Sequence, residues 1–92
     1  MKGAEMFEKV KESLRITHSK LDAEIQDIID AAVHSLTAHG VNATGHEGDP
    51  LILNAVKLYA KWQMNYQDQA DRYEKAWNAA LVMLALCGDY NE

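Results

Sequence analysis

The chain has 92 residues and a mass of 10.3 kDa, enough for one domain and too little for two cores that each fold unaided. It is 48% hydrophobic and 25% charged, a globular composition rather than a disordered one. Nine Lys and Arg against fourteen Asp and Glu leave a formal charge of −5 and a pI near 5.2, which argues against a basic face that grips phosphate.

For a chain this short, apolar burial and the entropy of ordering nearly cancel, so a partner surface would help. The excess acid is concentrated before Pro50. A single cysteine, Cys87, rules out an internal disulfide and fits a reducing compartment. The opening MKGAEMFEKV has no apolar stretch of the kind that leads secretion, and the longest apolar run, Ala79 to Cys87, is far short of the ~20 residues that span a bilayer. These features predict a soluble, cytosolic protein with no membrane partner.

Apolar residues recur at the helical spacing of three and four nearly everywhere, and no useful stretch alternates. Residues 1–92 are therefore expected to form a single all-α domain, a small bundle of about four helices with the third central and no significant sheet. A first helix is predicted over Ala4–Leu14, with Phe7, Val10 and Leu14 on one face. Glu8 and Glu12 are spaced to pair with Lys11 and Arg15. After a turn at Arg15–His18, Ser19 is a natural N-cap, with Asp22 completing an approximate capping box.

The second predicted helix runs over Lys20–His39. Its apolar face carries Leu21, Ile25, Ile28, Ile29, Ala32, Val33 and Leu36, and Gly40 stops it. Asp22, Glu24, Asp27 and Asp30 crowd its first half, where the helix dipole favours negative charge. The strong break GVNATGHEGD, residues 40–49, holds three of the five glycines and leaves room for a short β-like pairing. Asp49-Pro50 then opens a third helix, Pro50–Tyr66, as cap and first-turn residue. That helix is apolar around most of its circumference, the mark of a central element. Gln67–Gln69 reads either as a joint or as a continuation.

The fourth helix is predicted over Ala70–Cys87, ending at Gly88, with Tyr73, Trp77, Ala80, Leu81 and Leu84 facing inward. Its last two turns, AALVMLALC, contain no polar residue, so part of Val82, Met83 and Leu86 is a candidate subunit interface. The alternative is that the other helices simply bury it.

Catalytic and metal chemistry find little support. His34 and His39 are five apart and point away from each other, and His18 and His46 fall in predicted turns without a ligand pair. Cys87 sits in an apolar run that raises rather than lowers a thiol pKa. Ser13, Ser19 and Ser35 have no glycine elbow, and the 40–49 loop lacks the pattern and lysine of a phosphate cradle. No catalytic residue, cofactor or metal is therefore expected. A helix–turn–helix reader is disfavoured because Asp22, Glu24, Asp27 and Asp30 lead the would-be recognition helix.

KVKESLRI (9–16), a polar turn and LDAEIQDIIDAA (21–32) together resemble the opening of phage head–tail connector proteins, also described as DNA-packaging or head-completion adaptors. A proline-opened third helix bearing ILNAVKLYAKWQ (52–63) and the ending LALCGDYN (84–91) extend the resemblance over essentially the whole chain. The turn Thr17-His18-Ser19-Lys20 departs from the family, whose turn is often acidic, and the 40–49 loop is compact.

The resemblance implies a structural virion-assembly protein without catalysis. About a dozen copies would form a ring beneath the portal protein, extending the DNA channel and seating a further head-completion or tail protein. The chain would then pass from the host cytoplasm to the head–tail junction of the virion. DNA would cross the ring without sequence-specific binding, with Asp22, Glu24, Asp27 and Asp30 as candidate channel-facing acids that repel its backbone. The rival reading is a small acidic helical adaptor or inhibitor that binds one protein through its apolar patch. A weaker one is a helical enzyme subunit completed by another chain.

Overall fold

A computed structural model describes residues 2–43 and 49–86, with side chains from Glu5 onward. Four α-helices follow one another: α1 Lys2–Ser13, α2 Asp22–Ala38, α3 Pro50–Gln63 and α4 Ala70–Leu86, with a 3₁₀ turn at Tyr66–Asp68 before the last. There is no strand among the described residues. Residues 44–48 of the predicted break, His46 included, lie outside them, as do Cys87 and the predicted stop at Gly88.

α3 is the middle of the bundle and touches α1, α2 and α4. It earns that place by lacking a polar face wide enough to solvate. Ile52, Leu53, Ala55, Val56 and Ala60 are all buried, and the half-buried Leu58, Tyr59 and Trp62 widen the covered surface beyond them. Against them pack Met6, Val10 and Leu14 of the α1 segment, Ile25, Ile29, Ala32 and Leu36 of α2, and Trp77, Leu81 and Leu84 of α4. Among the described residues no polar or charged side chain is buried with this core. Tyr59 and Trp77 meet edge to face across the α3–α4 seam, ring centroids 4.9 Å apart.

The helix ends explain most boundaries. The Asp49 carboxylate accepts the Leu51 N–H at 2.8 Å, so Asp49-Pro50 starts α3 as its sequence predicts. Gly40, at φ +85°, ends α2: its N–H reaches the Thr37 carbonyl, and the Val41 N–H reaches that of Leu36. Val41 and Leu36 are both fully buried, so this C-cap also pins the chain back onto the core. α1 ends on the same bonding pattern without a glycine. Arg15 takes the left-handed conformation, φ +59°, while Ile16 N–H bonds the Lys11 carbonyl.

Two sequence expectations give way. α2 begins at Asp22, not Lys20, and no side chain caps it; Ser19 offers only its backbone carbonyl, to the Asp22 N–H at 3.3 Å. The Asp22 carboxylate is drawn elsewhere, to Lys11 Nζ at 2.8 Å. Its Oδ1 is shielded from water and accepts no hydrogen bond among the described residues, so the ion pair with Lys11 is what offsets its burial. α3 ends at Gln63 rather than Tyr66, and Gln67–Gln69 belongs to a joint. Asn65, Gln67 and Asp68 all have positive φ there, at 49°, 53° and 61°. Asn65 holds the joint together: its amide donates to Asp68 Oδ1, and its Oδ1 accepts the Ala70 N–H. Lys61 lies over the rings of both Tyr66 and Tyr73, tying the end of α3 to the start of α4.

Candidate interaction surface

Where α4 turns its back on the core, its side chains change character along the helix. Arg72 and Lys75 are exposed in the first half, and Ala79, Val82, Met83 and Leu86 in the second. Val82 is 59% exposed, Met83 51% and Leu86 82%. Side chains at these positions would be polar on a solvated helix, and the apolar inner stripe of α4 is already supplied by Trp77, Leu81 and Leu84. Val82 and Leu86 also wall a shallow groove of about 460 Å³, shared with Leu81, Ala85, Asn78 and His39 from the end of α2. Leu51, 47% exposed at the start of α3, is a further outward apolar residue that sequence reasoning missed. Its only signal was its place beside the buried Ile52 in a helix apolar on nearly all sides.

The four carboxylates of α2 do not share one environment. Asp22 is half-buried and engaged by Lys11. Glu24, Asp27 and Asp30 are exposed, and at 3.6 residues per turn they fan over about 120° of the helix. Glu24 and Asp27 edge a groove of about 260 Å³ between α2 and α3, with Ile28, Ala31, Tyr59 and Gln63. Asp30 stands apart from that groove and accepts a hydrogen bond from Gln26 Nε2 at 3.0 Å.

His34 is exposed on α2, and His39 bonds the Ser35 carbonyl through Nδ1. His18 Nδ1 accepts the Lys20 N–H. Among the described residues no three His, Cys, Asp or Glu converge as a metal site would require. Nor is any described helix long and apolar enough to cross a membrane.

These features define a small all-helical protein whose distinctive equipment is a pair of unlike outer faces, suited to contact with other macromolecules. The chain belongs to the phage connector protein family, whose model matches residues 6–91. Membership gives it a structural role in virion assembly, in association with head and portal components. Comparison with curated proteins found no match, and comparison with solved structures found none.

Proposed function

We propose that this chain is a subunit of a ring at the head–tail junction, seated beneath the portal protein and receiving the next head-completion or tail component. The observation that carries the reading is the uncovered apolar half of α4, at Val82, Met83 and Leu86, in a chain of a family of connectors. A connector has to hold on to its own copies and to unlike neighbours, and an apolar face on a rigid helix serves that need. The net negative charge serves the other requirement of a conduit, because DNA does not adhere to a wall that repels phosphate. Of the α2 carboxylates, Asp30 is the one free of both Lys11 and the α2–α3 groove, and it is assigned to the passage.

The test is incorporation. Val82→Asp combined with Leu86→Asp replaces exposed residues, so the isolated chain keeps its helical circular dichroism. Heads assembled in host cells with this variant should lack the protein and fail to join tails. Normal incorporation would overturn the reading, whereas one-to-one capture of a single unrelated protein through the same patch would support the adaptor.

A further inference from the structure

The outer face of α4 has a counterpart on α2. On α4 the exposed seam runs Arg72, Lys75, Ala79, Val82, Leu86, spaced three, four, three, four. On α2 an exposed seam has the same spacing: Glu24, Asp27, Ala31, His34, Ala38. Such spacing keeps side chains on one stripe facing a partner helix. One constant offset in numbering aligns the two seams so that opposite charges coincide. Glu24 then meets Arg72 and Asp27 meets Lys75. Ala31 meets Ala79, and the small Ala38 leaves space for Leu86. Among the described residues Glu24, Asp27, Arg72 and Lys75 have no ion-pair partner within the chain.

The alignment requires the two helices to run parallel and, for a ring, to stand at equal height. The fold provides both. The start of α2 shares a groove with Tyr59 and Gln63 near the end of α3, so α2 and α3 are antiparallel. The short joint and the Tyr59–Trp77 contact make α3 and α4 antiparallel as well. Tyr59 thus stands level with both Ala31 and Trp77, and at the other end His39 lies beside Val82 and Leu86. Within one copy, residues that the seam would pair are already level to within about one helical turn, ~5 Å.

We infer that the occupant of the α4 seam is the α2 seam of a second copy of this chain, packed parallel through Glu24–Arg72 and Asp27–Lys75 at one end and Ala38–Leu86 at the other. The contact is heterologous, two different faces of each copy, and it needs almost no climb along the helix axis. A head-to-tail contact without climb closes into a ring instead of winding into a filament. This inference rests on the ring reading above and names the partner of its apolar patch. It also removes Glu24 and Asp27 from the passage and leaves Asp30 there.

Two experiments on the full chain in assembled heads test it. In a Cys87→Ser background, Ala31→Cys with Ala79→Cys replaces two exposed alanines that the seam opposes, close enough for a disulfide where small residues meet. Mild oxidation should give a ladder of covalent dimers, trimers and higher multimers. A dimer band alone would mean a two-fold contact and overturn the inference. Multimers with an amine-reactive crosslinker but no disulfide at 31–79 would overturn this pairing and leave the ring standing. Monomers with both reagents would overturn the ring as well. In the second experiment, Glu24→Lys/Asp27→Lys and Arg72→Glu/Lys75→Glu should each lower incorporation at least tenfold when supplied alone. Supplied together they should restore it, because each variant's α2 then matches the other's α4. No recovery in the mixture would overturn the inference.

Discussion

α3 and α4 are both apolar helices of similar length, yet they meet opposite fates. α3 hides Ile52, Ala55, Val56 and Ala60 completely, while α4 covers Trp77, Leu81 and Leu84 and leaves Val82, Met83 and Leu86 in water. Hydrophobicity alone does not distinguish them. Position does: α3 has neighbours on three sides, whereas α4 packs chiefly on α3 and has one free side. An apolar residue on a central helix is spent on the fold, and the same residue on a flanking helix is available for a partner.

The contrast can be broken most forcefully at the seam between the two helices. Trp77→Ala removes a 97%-covered side chain that packs on Tyr59 and should cost about 3–5 kcal/mol in chemical denaturation. Ile52→Ala, at the centre of α3, should cost about 2–4 kcal/mol by the same measurement, through lost transfer energy and a cavity. Next in size is Asp49→Ala, which removes the α3 cap and should cost about 1 kcal/mol, read as a lower thermal midpoint. Gln67→Gly should act in the other direction and raise stability by about 0.5–1 kcal/mol, because glycine tolerates the positive φ of the joint. At the bottom of the scale, Val82→Ser and Leu86→Ser should shift monomer stability by no more than about 0.5 kcal/mol while still impairing incorporation into heads. A large loss of monomer stability from the serine variants would erase the distinction between the two helices.

What the sequence disclosed, and what it concealed, follows from how each signal arises. Helix identity was legible because three-and-four spacing records which side of each helix meets the core. The start of α3 was legible because Asp-Pro is a local device that works wherever it stands. The Ser19 cap was not, because Asp22 had a better partner in Lys11, and that competition is tertiary. The early end of α3 was hidden for a different reason: Asn65, Gln67 and Asp68 enter left-handed conformations without a glycine or proline to announce them. For Val82, Met83 and Leu86 the sequence allows both exposure and burial, since burial on α4 depends on what flanks it. The division of the α2 acids needed structure, because only the fold places Lys11 beside Asp22 and Tyr59 beside Asp27.

The central station of α3 has one more consequence. Because each of the other helices leans on it, no single layer can peel away and leave a self-sufficient remainder. The molecule should therefore open as one cooperative unit, with the amides of α3 exchanging their hydrogens most slowly of all.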